Sequence, residues 1–247
     1  MTNRAQVFCA VSGPIALTLF LLAMWPASHF LPPPAPGLTP IEVANVYRSH
    51  ATGIQIAAVL QMVSIALLVA FYGGISAQMR RMEGNDRTWT YVQLGAGAMS
   101  LAPFLLCGLL WAAAAIRIDR APEITQLIND FAFLFLVAPA PPATVQLIAI
   151  GYAILGDKNP QPVFPRWLAY ATFWTAILIL PGAVVVMFLK GPFAWNGILG
   201  FWIPAIVFGV WANIMGPMMI KAAKQPSVSS AKQPSVTSAK QPSLSHI

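Results

Sequence analysis

Hydrophobic positions along the chain fall into long, nearly unbroken runs, without the strict alternation of half-buried strands. Six of them reach the roughly 20 apolar residues that a membrane crossing needs: Val7 to Phe30, Ala51 to Ala77, Tyr91 to Ile116, Phe131 to Leu155, Leu168 to Leu189 and Ile198 to Ile220. A backbone in hydrocarbon must satisfy its own N–H and C=O groups, and nothing in the pattern suggests a barrel, so each run is predicted to be helical. The expected fold class is all-α, a polytopic transmembrane bundle of six spans occupying residues 1–222.

The interruptions carry their own signals. Between the first two runs lies SHFLPPPAPGLTPIEVANVYRSH, whose prolines favour an extended polyproline segment. Thr39, Pro40 and Glu42 then form a capping box with proline at the first helical position, so a helix should begin there and run through Tyr47 into the second span. A second start is predicted at Pro122 and Glu123, followed by an apolar stripe at Ile124, Leu127, Ile128 and Phe131. The fourth run contains APAPP, Ala138 to Pro142, whose prolines break the helical bonding pattern, and Pro103, Pro181 and Pro204 interrupt three more runs.

Composition strengthens the membrane reading. Of the 247 residues 57% are hydrophobic and 9% charged, against about 25% charged in an ordinary soluble domain, and so few charges cannot keep so apolar a chain in water. The formal net charge of +7 reads as topology. With the amino terminus inside, Arg4, Arg80, Arg81, Arg87, Lys158, Arg166, Lys221, Lys224, Lys232 and Lys240 lie on the inner side, and only Arg48, Arg117, Arg120 and Lys190 on the outer. The positive-inside rule therefore predicts both termini in the cytoplasm of a multi-pass protein of the inner, or plasma, membrane. The first run is too long for a signal-peptide core and is closed by Trp25 and Phe30, so an uncleaved anchor is expected. Nucleic acid is not an expected partner, because no basic domain stands clear of the bilayer.

From Ala223 the chain reads AKQPSVSS, AKQPSVTS and AKQPSLSH. Residues 223–247 are thus expected to be a disordered basic tail with no hydrophobic face to bury, a repeat expanded without function or, alternatively, a docking or phosphorylation segment. Cys9 and Cys107 lie toward opposite ends of their helices and are expected not to pair.

Enzyme signatures are absent: no H-E-x-x-H, G-x-S-x-G, phosphate-binding glycine loop or Cys-x-x-Cys occurs, so no catalytic residue, cofactor or metal site is assigned. Candidate chemistry rests on polar groups inside the spans, which are costly in lipid and mark functional positions by default. His50, Ala57, Gln61 and Ser64 share one helical face, and Gln146 is the deep polar residue of the fourth span, just past APAPP. Gln61, Ser64 and Gln146 are expected to face one another at comparable depth across the helix break, with the aromatic residues Trp111 and Trp174 supplying apolar walls. Such a site would take a lipid, an isoprenoid or a sterol-like compound, and should open toward the outer leaflet. Interfacial belts are expected at Trp89, Tyr91, Trp167 and Tyr170 inside, and at Trp25, Tyr47, Phe193 and Trp195 outside.

The stretches FPRWLAYATFW, Phe164 to Trp174, and GPFAWNGILGFWIPAIVFGVWANIM, Gly191 to Met215, resemble the carboxy-terminal third of six-span membrane proteins of actinobacteria that carry no established activity. That resemblance implies the topology and an actinobacterial inner membrane, and supplies no catalytic residue; the repetitive tail departs from it. Together these readings favour a non-catalytic accessory or scaffold subunit with a membrane-protein partner, or a hydrophobic-ligand-binding protein. The alternative is a small transporter for a hydrophobic or amphipathic molecule.

Overall fold

The computed structural model describes residues 4–225, and among them there is no strand. The elements are α1 (Arg4–Leu22), closed by a π turn (Ala23–Ala27); α2 (Pro40–Glu83); α3 (Thr88–Ala115); α4 (Pro122–Val137); α5 (Ala140–Leu155); α6 (Arg166–Ile179), continued as a 3₁₀ segment (Leu180–Met187); and α7 (Ile203–Ala223), preceded by a π turn (Ile198–Trp202). They build six helices long and apolar enough to cross a membrane: Arg4–Ala27, Pro40–Glu83, Thr88–Ala115, Pro122–Leu155, Arg166–Met187 and Ile198–Ala223. The chain is an all-α, multi-pass membrane protein. Residues 226–247, and with them most of the repetitive tail, lie outside the described residues.

Capping fixes where α2 begins. The Thr39 side chain accepts from the Glu42 N–H while the Glu42 carboxylate accepts from the Thr39 N–H at 2.7 Å and its hydroxyl at 2.8 Å, the box expected from the sequence. At 44 residues, α2 is about 66 Å long, twice the roughly 30 Å hydrocarbon core, so it projects beyond the membrane as one helix. Its only interruption is His50, where φ is −127° and ψ 22°. That kink meets the chain leaving α1, and the His29 and His50 rings lie 4.4 Å apart.

Packing runs in a ring, α1 on α2, α2 on α3, α3 on α4 and α5, α5 on α6, α6 on α7 and α7 back on α1, with α2 also touching α4, α5 and α7. At one end, Arg81 donates to the carbonyls of Ala222 at 2.8 Å and Gln225 at 3.5 Å, while Asn159 donates to the Arg81 carbonyl at 3.0 Å. This basic end holds Arg4, Arg80, Arg81, Arg87, Lys158, Arg166, Lys221 and Lys224. The Asp86 carboxyl there is held below its ordinary value by the Thr88 hydroxyl and N–H that donate to it. At the opposite, proline-rich end, Gln126 donates to the Leu38 carbonyl, Trp195 to that of Pro34 and Arg48 to that of Ile118.

Two apolar clusters fill the bundle. Near the basic end Phe71, Tyr72, Ile75, Met79, Leu147 and Trp211 pack together. Toward the proline-rich end Phe30, Tyr47, Trp111, Phe133 and Trp195 do so. Tyr47 and Trp195, expected in the outer aromatic belt, are therefore core residues: Tyr47 donates to Asn129 at 3.2 Å, and the Trp195 ring stacks on Phe133. Tyr91, Trp167 and Tyr170 are exposed on the bundle surface as an interfacial belt requires. Both clusters reach Phe104, and there the packing is incomplete.

Candidate functional site

The gap beside Phe104 is a cavity of about 160 Å³. All seven α-helices contribute to its walls: Leu17 and Phe20 from α1; Gln61, Ser64, Ile65, Leu68 and Tyr72 from α2; Ser100, Leu101 and Phe104 from α3; Leu136, Val137, Pro139, Ala140 and Ala143 around the α4–α5 junction; Ile179 from α6; and Gly200, Phe201, Pro204, Ala205 and Phe208 from the π turn and α7. Along α2 the lining extends from Gln61 to Tyr72, about 16 Å of helix.

Irregular backbone surrounds it for a reason written in the sequence. Pro139, Pro141 and Pro142 have no N–H to give, so the carbonyls of Phe135, Val137 and Ala138 have no helical donor four residues on, and the helix divides into α4 and α5 at this point. Pro204 does the same to the Gly200 carbonyl, at the π turn that precedes α7. Non-helical backbone at membrane depth is tolerated where it is covered by protein or lines a cavity. Val137, Pro139, Gly200 and Pro204 all line this one.

Gln61 is completely buried, and neither its amide nitrogen nor its amide oxygen has a hydrogen-bond partner. Its Cγ is pressed against Gly108 of α3, where a Cβ would come within 3.2 Å of it. Ser64, one turn away, donates its hydroxyl to the Ala16 carbonyl of α1 at 2.8 Å, which leaves only acceptor capacity toward the cavity. At the other extremity of the cavity the Tyr72 phenol lies near Ser100 and Gln146. No Asp, Glu, Lys, Arg or His is in the lining. The arrangement is an apolar slot with an unpaired amide toward one extremity and a phenol at the other, suited to holding a molecule.

Of the residues singled out from the sequence, Gln61 and Ser64 are in the lining together with the helix break. Gln146 is buried but stands behind Tyr72 and Ser100, not opposite Gln61. Its amide packs on Gly97, as Gln61 packs on Gly108, and eleven residues of α3 between those glycines amount to about 16 Å. Trp111 is fully buried in the aromatic cluster toward the proline-rich end, its indole N–H without a partner. Trp174 faces outward, 63% exposed. The apolar walls come instead from Phe20, Phe104, Phe201 and Phe208, and the polar far extremity from Tyr72 and Ser100, none of them singled out beforehand. Tyr72 was within reach: it continues the Gln61 and Ser64 face of α2 at helical spacing, through Ile65 and Leu68.

A second recess adjoins the cavity on the outer face of the bundle. It is a groove of about 500 Å³ between α1 and α7, lined by Leu21, Met24, Ile206, Gly209, Val210 and Asn213 among others. Phe20, Phe201 and Ala205 belong to the walls of both. Among the described residues no group of three or more His, Cys, Asp or Glu side chains is placed to hold a metal ion. No protein-family model, curated protein or solved structure matches the chain.

Proposed function

We propose that this protein is a binding protein for a hydrophobic molecule, which it holds inside the bundle with the ligand's polar end on Gln61. The observation that carries this reading is the Gln61 amide, entirely buried and wholly unpaired in a cavity wall. An unsatisfied buried amide costs about 1–3 kcal/mol, a cost that a bound polar group removes and that an apolar side chain at this position would avoid. Native mass spectrometry of the full chain released from mild detergent tests it. The wild type should carry a lipidic adduct that Gln61→Leu loses; an adduct retained in full by Gln61→Leu, or none on either protein, counts against the reading.

Transport of such a molecule is the second reading, favoured by one specific feature: the cavity is bordered by broken helices in the α4–α5 segment and before α7, the construction that lets half-helices shift around a site near the membrane midplane. The two readings share the site and differ in whether it opens to both sides.

The basic end is assigned to the cytoplasm and the bilayer to the inner membrane. Eight Lys and Arg residues at that end against Arg48, Arg117, Arg120 and Lys190 at the other support the sidedness. In intact cells a cysteine introduced at Asn85 should be shielded from an impermeant thiol reagent and one at Gly37 should react, both being exposed loop positions. The reverse labelling pattern would invert the assignment.

A further inference from the structure

We infer that the ligand is a single-chain amphiphile with an uncharged hydroxyl head, its head inside the cavity on Gln61 and its tail in the groove between α1 and α7, which it enters sideways from the bilayer. This rests on the proposed binding role and names the chemistry of its ligand.

Size decides first. A cavity of about 160 Å³ is close to the ~150 Å³ that takes one benzene-sized guest, and below the ~300–1,000 Å³ of drug-sized ligand sites. A lipid-like molecule therefore cannot be housed there alone. The adjoining groove offers about 500 Å³ more, and the two share Phe20, Phe201 and Ala205 as a common wall. Apart from Asn213, which donates to the Gly209 carbonyl of its own helix, the side chains of the groove are apolar. It lies on the surface of membrane-spanning helices, where hydrocarbon chains are the solvent. To occupy both recesses a ligand must pass between the Phe20, Phe201 and Ala205 side chains, which suits a slender, flexible acyclic chain and not a rigid fused-ring sterol.

Charge and hydrogen bonding decide the head. Neither recess is lined by an Asp, Glu, Lys, Arg or His side chain, and a phosphate or ammonium drawn inside would lose its hydration with no opposite charge to pair it. Gln61 presents both a free N–H donor and a free carbonyl acceptor. A hydroxyl satisfies both, accepting from Nε2 and donating to Oε1, whereas an ester or ketone leaves Oε1 unpaired.

The test uses the purified full chain in detergent and hexadecanol bearing a mid-chain diazirine, counting only the photolabelling that excess plain hexadecanol competes away. Labelled peptides should map to the α1 segment around Phe20 to Met24 and to α7 between Ala205 and Ile214. Plain hexadecanol or an acyclic isoprenol should compete, and cholesterol and dipalmitoyl phosphatidic acid should not. Ala205 is exposed at the mouth of the groove; Ala205→Trp, with Ala205→Phe as a milder plug, should cut competable labelling by about tenfold or more by filling it. Val59→Trp, an equal bulk on a lipid-facing position of α2 that is 56% exposed, should leave it unchanged. Labelling lost in Gln61→Leu but mapped away from the α1–α7 groove, or unaffected by both Ala205 plugs, overturns this inference and leaves the binding role standing. Competition by the phosphatidic acid or the sterol equal to that of hexadecanol overturns the assigned class. Competable labelling that is indifferent to Gln61, or absent altogether, removes both.

Discussion

Replacing Gln61 with Leu is expected to raise the unfolding midpoint of the delipidated protein in detergent, by the equivalent of about 1–3 kcal/mol, although the residue is completely buried. Most buried substitutions destabilise. This one removes an amide whose nitrogen and oxygen are both unpaired, and Leu fills a similar volume against Gly108. The same change should abolish stabilisation by added hexadecanol, so stability and binding move in opposite directions. A fall in the midpoint of similar size would mean that the amide is engaged by the protein itself, and would remove the reason for placing a ligand there.

The largest destabilisation is expected at a glycine far from the cavity. A Cβ on Gly53 would lie 2.1 Å from the Ala27 carbonyl oxygen, a backbone atom at the end of the π turn that closes α1. That turn has little room to yield, because the buried Ser28 that follows it donates to the carbonyls of Ala23 and Met24. Gly53→Ala should cost about 1–3 kcal/mol by overpacking. Gly73, on the same helix, has nothing within 4 Å of its would-be Cβ, and Gly73→Ala should be neutral or stabilise by up to about 1 kcal/mol through helix propensity. Equal effects of the two changes, read by thermal melts in one detergent, would show that α1 and α2 do not approach as closely as they do here.

What the sequence made legible was what covalent chemistry imposes locally. Missing N–H groups at Pro139, Pro141 and Pro142 put the break where it is found. The Thr39 and Glu42 box starts α2 at Pro40, and the proline at position 122 starts α4. Sidedness was harder to read, because in a membrane helix apolar residues cover the lipid face and the protein face alike, and periodicity loses its contrast. Hence Trp174, expected in a pocket wall, looks out at lipid, and Tyr47, expected at the interface, is core. Depth failed for a related reason. The apolar run of the fourth span starts at Phe131, but its helix begins at Pro122 and runs to Leu155 with the break inside it, so Gln146 sits beside Tyr72 at Gly97 rather than facing Gln61.

The central claim, that the unpaired Gln61 amide receives the polar end of a ligand inside the bundle, is tested most directly by a high-resolution cryo-electron microscopy structure of the full chain in nanodiscs of its native lipids. Elongated density should fill the cavity beside Phe104, with its polar end about 3 Å from the Gln61 amide and its other end leaving between α1 and α7. A cavity closed by side-chain packing, with Gln61 hydrogen-bonded to a group of the protein, would contradict it.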